Sequence, residues 1–301
     1  MYSDALLTNL VIHPEPLEPL LEWLVKRLEP GISSDWSGSY EKIEEELTEF
    51  ERWLDTVWGM GFYETLIGNE ESYSIPLAFK TAAEMDGNVL ICDGFSLREL
   101  MFLRKALPER VRYKAGKAPT PTTTENVVET VFQSTGLIEA LTGQKLYWGN
   151  TWNGDVIEDI SNPPRLGKKT GLMFLSYHPD APLHRARSYG LTQVQDVGQV
   201  MKQISNLVSY LSRNSPLVIT GDHGYIYVGD NPNKYLWLPY KRKKRFGADY
   251  TTNFMEVDGV RVAVGRFHAS VSRRSNAVIV HGGVSLCESL VPVVVVEAES
   301  R

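Results

Sequence analysis

Five residues whose side chains can bind a metal ion each close a short apolar run in this chain of 301 residues. Asp93 follows VLIC, Asp180 follows FLSYHP, the pair Asp222 and His223 follows LVITG, and His281 follows AVIV. His184 lies four residues after Asp180, a spacing that lets both face the same way over one helical turn. The set is then three carboxylates and three imidazoles, and six such ligands suit two cations. Each motif alone has a plainer reading: Asp93-Gly94 as a turn, Asp222-His223 as a helix cap beside a surface imidazole, and Asp180 with His184 as a cap and a bystander. Their conjunction carries the metal reading. Of the six histidines, His178, His184, His223 and His281 all fall at or just beyond the ends of these runs. His13 and His268 lie elsewhere and default to structural roles, with His268 a candidate supporting group.

The elements that would position these residues follow from hydrophobic periodicity. From Asn88 onward, short apolar runs end in polar residues and alternate with helical stretches, which predicts an α/β fold with a mostly parallel central sheet and flanking helices. Val89–Cys92 is one such strand. Ser96 and Glu99 then have capping-box spacing ahead of a helix carrying Leu100, Leu103 and Leu107. Leu172–Leu175 and Leu217–Ile219 flank a helix striped by Val194, Val197, Met201, Ile204, Val208 and Leu211. Val260–Phe267, Ala277–Val280 and Leu290–Val296 are expected strands whose direction cannot be read. In open parallel sheets ligands bind beyond the carboxyl ends of the strands, which is where the six ligands lie.

The preceding residues read as helices. Leu17, Leu20, Leu21, Leu24 and Leu28 form one stripe after Pro14 and Pro16, stopped by Gly31. A second helix from about Tyr40 to Trp58 carries Ile43, Leu47, Phe50, Leu54 and Val57 on one face, and Glu44, Glu45, Glu46 and Glu49 are expected on a solvated face. Residues 1–85 are therefore expected to form a helical cap or accessory segment, open to a protein partner, and residues 86–301 the domain that carries the chemistry.

Lys plus Arg number 31 against 37 Asp plus Glu, a formal charge of -6, so bulk electrostatics would not draw the chain onto nucleic acid or an anionic membrane. Any such contact must be local. One candidate is the basic run Lys241, Arg242, Lys243, Lys244 and Arg245, flanked by Tyr240 and Phe246, a composition that grips phosphates and stacks bases; a solvated loop is the alternative. MYSDALLTNL lacks the marks of a signal peptide, and no apolar run approaches the ~20 residues of a membrane span, so a cytoplasmic location without membrane contact is expected. Cys92 and Cys287 are too few for a disulfide framework and read as small buried hydrophobes. There is no G-x-S-x-G elbow, and Gly167-Lys168-Lys169-Thr170 lacks the upstream glycine of a P-loop.

The motifs VLICDGFSLREL, APTPTTTEN, PDAPLH, VITGDHG and HGGVSLCESLVPVVVV, in that order from Asn88 to Val296, resemble the alkaline phosphatase superfamily of two-metal hydrolases, specifically its PglZ-domain branch known from BREX phage-defence systems. The resemblance implies an alkaline-phosphatase-like core. It also implies one metal held by Asp93, Asp222, His223 and a nucleophile oxygen, and a second held by Asp180, His184 and His281. Oxygen and imidazole ligands without thiolate suit zinc or manganese. It further implies a threonine or serine nucleophile at a helix N-terminus, a place that favours anions. APTPTTTEN precedes the apolar-periodic Val127, Val128, Val131 and Phe132, and the proline, two residues, threonine pattern falls on both Pro121 with Thr124 and Pro119 with Thr122. Thr124 lies closer to the helical pattern, and Thr122 is the second candidate. The implied activity is a two-metal phosphoric-ester hydrolase, foremost a phosphodiesterase acting on nucleic-acid or nucleotide diesters. A phosphomonoesterase or phosphomutase, and a silent module that binds nucleic acid or a partner, are the alternatives.

Overall fold

The apolar runs after Asn88 supply the middle of a seven-stranded sheet. A computed structural model describes residues 4–68, 70–164, 171–184, 196–229, 231–238, 244–248, 250–267 and 278–299. Its strands are β1 (Asn88–Cys92), β2 (Val111–Lys114), β3 (Gly143–Tyr147), β4 (Asn150–Ile157), β5 (Leu172–Ser176), β6 (Leu217–Gly221), β7 (Ile226–Tyr227), β8 (Phe254–Val257), β9 (Val260–Ala263), β10 (Ile279–Val280) and β11 (Val293–Val296). The α-helices before the sheet are α1 (Asp4–Ile12), α2 (Leu17–Leu28), α3 (Trp36–Val57), α4 (Met60–Leu66) and α5 (Ser74–Glu84). Those within it are α6 (Leu97–Ala106), α7 (Thr124–Val127), α8 (Leu137–Leu141), α9 (Asp180–His184), α10 (Val197–Leu211), α11 (Pro232–Tyr235) and α12 (Leu286–Ser289).

The sheet order is β2-β11-β6-β1-β5-β4-β3. β6, β1, β5 and β4 pair in parallel, with Val89 opposite both Val218 and Met173. β11 is antiparallel to β6 and β2, and β3 is antiparallel to β4. β2, β6, β1, β5 and β4 therefore share one direction, and the fold is α/β with a mostly parallel central sheet. Its two faces follow the alternation of side chains along each strand. Val89, Ile91, Val218 and Val293 pack with Ile75, Ala78, Phe79 and Ala82 of α5. Leu90, Cys92, Ile219 and Val294 pack on the other side in one apolar cluster with residues of α2, α3, α6 and α10.

Some elements depart from the sequence reading. The run Val260–Phe267 yields only β9, which pairs with β8 in a separate ribbon, and Ile279–Val280 pairs with β7 in another, so neither joins the main sheet. The expected solvated run of α3 contains a buried member. Glu44 is fully buried, accepting from Arg98 Nε at 2.7 Å and Arg266 Nη1 at 2.5 Å. Glu45, which pairs with Lys234, and Glu49 do face solvent. The capping box at Ser96 and Glu99 is formed. Cys92 and Cys287 are free and buried. Among the described residues no helix is long and apolar enough to cross a membrane.

Candidate metal centre

β1 occupies the middle of the sheet between β6 and β5, so the chain segments leaving these three strands at their carboxyl ends lie side by side. Asp93 leaves β1, Asp222 and His223 leave β6, and Asp180 opens α9 just beyond β5. Backbone bonds tie the exits together: Asp93 N donates to Ser176 O at 2.8 Å, Asp180 N to Asp93 O at 3.0 Å, and Asp222 N to Cys92 O at 3.3 Å. His281 enters from the end of β10, which α9 packs against. All six sequence-derived ligands converge in two groups, Asp93 with Asp222 and His223, and Asp180 with His184 and His281, the ligand atoms of each lying within 4.8 Å of one another. The groups abut, with the His223 and His281 rings stacked at 4.1 Å between centroids.

Two of the three imidazoles are aimed by carbonyls. His223 Nδ1 lies 3.0 Å from Gly224 O and His281 Nδ1 lies 3.2 Å from Thr122 O. A carbonyl accepts from a protonated Nδ1, and in the neutral imidazole this tautomer puts the lone pair on Nε2, the arrangement that orients a histidine ligand. His223 Nε2 lies 3.9 Å from Asp93 Oδ1 and 3.7 Å from Asp222 Oδ2. His281 Nε2 lies 3.8 Å from Asp180 Oδ1. Asp180 Oδ1 and His184 Nε2 face each other at 3.2 Å, yet both are buried without a hydrogen-bond partner.

Electrostatics agree with a cation-binding role. Burial, with the carboxylates Asp180, Asp222 and Glu125 around it, pushes the Asp93 carboxyl well above its ordinary value. Burial also pushes Asp180 up, but His184, His281 and His223 outweigh it and hold the group below its ordinary value. Burial and the adjacent His223 bring His281 down to about 4, so that ring stays neutral near neutral pH. At His184 burial acts downward, and the nearby Asp180 reverses it to a net rise. Among the described residues no lysine or arginine pairs with these three aspartates. Converging buried carboxylates repel one another unless positive charge is supplied. Asp180 Oδ1 and His184 Nε2, which meet only each other and make no well-formed hydrogen bond, and the oxygen and imidazole donor set fit two divalent cations.

The threonine segment reaches the same place. Thr123 is the N-cap of α7, accepting from Asn126 N at 3.2 Å, and the helix continues as a π-turn over Val128–Phe132. Thr124, the first helical residue, donates from Oγ1 to Asp222 Oδ2 at 2.6 Å and lies 3.4 Å from His223 Nε2. Asp222 Oδ1 meanwhile accepts from Gly94 N at 2.9 Å and His223 N at 2.8 Å. Thr122 is placed differently. Its hydroxyl is fully buried, donating to Gly283 O at 2.9 Å and accepting from Gly282 N at 3.0 Å, so it braces the His281 turn and faces no ligand atom.

The remaining candidates divide. Lys241, Arg242 and Lys243 lie outside the described residues, as does His268. Lys244 is exposed, with Nζ 5.0 Å from the centre of the Phe246 ring. That ring borders the His281 turn: a methyl group built on Gly282 would lie 3.1 Å from Phe246 Cδ1 and 3.5 Å from Thr123 Cγ2. Arg245 corrects the expectation that the whole run faces a polyanion. It is buried and its guanidinium pairs with Glu288 at 2.7 Å, an interior use that local composition does not distinguish from an exterior one. His178 is half-buried, with Nδ1 lacking a hydrogen-bond partner, and it belongs to neither ligand group. His13 is exposed and accepts from Glu15 N at 3.0 Å. Sequence reasoning missed Glu288; the signal open to it was the Ser285 to Glu288 capping spacing, with Glu288 N donating to Ser285 Oγ at 3.2 Å.

No family model matches the chain, and no curated protein matches it. Among solved structures, the chain is similar to murine ectonucleotide pyrophosphatase/phosphodiesterase 5, at 10% identity over 71% of this chain and 88% of that one, with a TM-score of 0.33. It is similar also to an inactive variant of the same murine protein in complex with AMP, at 10% identity over 70% of this chain and 87% of that one, with a TM-score of 0.31.

Proposed function

We propose that the chain is a divalent-cation-dependent phosphoric-ester hydrolase of the alkaline-phosphatase type, acting on phosphodiesters. The observation that carries this reading is the Thr124 hydroxyl, 2.6 Å from Asp222 Oδ2 and next to two three-ligand groups. Asp93, Asp222 and His223 would hold one cation, and Asp180, His184 and His281 the other. When bound, the cations would offset the carboxylates, acidify the threonine hydroxyl and stabilise charge on phosphoryl oxygens. The protein's own part begins with placement. Gly94 N and His223 N fix Asp222 through one oxygen, and the other oxygen orients Thr124 Oγ1.

Attack then joins Thr124 Oγ1 to phosphorus as the bond from phosphorus to the leaving alcohol oxygen breaks. The hydroxyl proton is lost to solvent and the departing alkoxide takes a proton from solvent; water then attacks phosphorus, the bond from phosphorus to Thr124 Oγ1 breaks, a proton returns to Oγ1, and a phosphomonoester is released. Nucleic-acid or nucleotide diesters are the proposed substrates, supported by the motif resemblance to PglZ domains and by Lys244 and Phe246 at the edge of the His281 turn. Phage defence enters through that resemblance alone. Replacement tests the assignment: Thr124→Ala should abolish diester turnover while the folded chain still binds zinc through the Asp and His side chains of the two groups. Undiminished turnover in that variant would remove Thr124 from the mechanism.

A further inference from the structure

Glu288 touches two turns, the one after His223 in the first ligand group and the one after His281 in the second. Its backbone oxygen accepts from Gly224 N at 2.9 Å, one residue beyond His223. Its side-chain Oε1 accepts from Gly283 N at 2.8 Å, two residues beyond His281. The carboxylate is fully buried, and Arg245 closes on it with Nε to Oε1 at 2.7 Å and Nη2 to Oε2 at 2.8 Å. Arg245 is pinned in turn, donating to the backbone oxygens of Gly265 and Phe267. Both turns fit closely: a Cβ at Gly224 would run into Cys287 O, and one at Gly283 into the Arg245 guanidinium.

We infer that Glu288, held by Arg245, is a positioning residue that sets the His281 turn against the His223 turn and so fixes the second ligand group relative to the first. A carboxylate serves because a charge-assisted acceptor holds Gly283 N more firmly than a neutral one, and Arg245 offsets the cost of burying it. The His281 turn is then held from two sides, by Glu288 at Gly283 N and by Thr122, whose carbonyl meets His281 Nδ1 at 3.2 Å and whose hydroxyl bonds Gly282 N at 3.0 Å. Without the Glu288 contact, the His281 turn keeps only the Thr122 side of its support, and the ring is held less firmly with its Nε2 toward Asp180. This inference rests on the metal-centre reading proposed above.

The test is zinc titration of the metal-free full chain by calorimetry, with folding checked by near-ultraviolet circular dichroism. His281→Ala identifies which binding step belongs to the second group. Folded Glu288→Gln is expected to weaken that step about 10- to 100-fold, the usual effect of losing a group that orients a ligand, while the other step stays within about threefold. Glu288→Asp keeps the charge for Arg245 with a shorter reach. It is expected to recover part of the loss, which a purely structural role would not require. Should Glu288→Gln fail to fold, Arg245→Lys, which keeps the charge and removes the fork, carries the same expectation. Folded variants that bind both equivalents as tightly as wild type, with only a lowered Tm, would overturn the inference. A wild-type chain that binds no zinc would overturn the metal reading itself, and this inference with it.

Discussion

Two threonines two residues apart have different partners, and the difference is testable. Thr124 Oγ1 faces Asp222, so Thr124→Ala should lower kcat by at least ~10^3-fold, the scale on which loss of a nucleophile is felt, and leave the Tm nearly unchanged. The Thr122 hydroxyl bonds only backbone groups of the His281 turn, so Thr122→Ala should cost ~1–3 kcal/mol, the price of leaving a buried donor unmet. Urea denaturation beside steady-state kinetics separates the two, and the reverse pattern would exchange their roles. The proton balance gives a second expectation. A cation must displace the proton that His184 and Asp93 retain above their ordinary values, whereas His281 is already neutral. Affinity should therefore rise with pH through and above the ordinary imidazole range, with more protons released per cation near pH ~6 than near pH ~8. Calorimetry in buffers of different ionisation enthalpy reads this, and pH-independent affinity would contradict it. At this scale the six candidate ligands were legible because five of them close apolar runs and His184 follows Asp180 by one helical turn. The choice between the threonines was not legible, because both satisfy the same local spacing and only tertiary contacts separate them.

Within elements, the interior use of charge was hidden. The apolar stripe of α3 is plain in the sequence, but Glu44 sits among acidic neighbours, and its partners Arg98 and Arg266 lie 54 and 222 residues away. No local pattern distinguishes it from Glu45. Glu44→Ala would leave two buried guanidinium groups short of a carboxylate and should cost ~3–5 kcal/mol, whereas Glu45→Ala, on the surface, should cost no more than ~0.5 kcal/mol. Denaturation midpoints of the two variants would show it, and equal effects would refute the interior role. The same limit explains Val260–Phe267. Its composition demands a strand, but the pairing partner is set by the turn at Asp258 and Gly259, which folds β9 back on β8 and away from the main sheet.

In the molecule as a whole, the parallel order β6-β1-β5-β4 brings three strand ends to one place, and the antiparallel β11 lies between β6 and the edge strand β2. The α/β class was readable from alternating apolar runs and helical stripes. The edge strands β2 and β3 were not, since short half-exposed strands carry little hydrophobic signal. The helices α2 and α3 share one apolar cluster with the face of the sheet carrying Leu90 and Ile219. Calorimetry should accordingly give a single cooperative unfolding transition, and two separated transitions would mean that the leading helices fold as a unit of their own. The central claim, that the two ligand groups and Thr124 hydrolyse phosphodiesters, is tested most directly by the hydrolysis of bis(4-nitrophenyl) phosphate against 4-nitrophenyl phosphate. Wild type and Asp222→Asn would be compared in zinc and in manganese. The expected result is metal-dependent turnover favouring the diester, lost together with bound metal in a folded Asp222→Asn chain. Turnover that survives chelation, or full metal loading and full activity in Asp222→Asn, would contradict it.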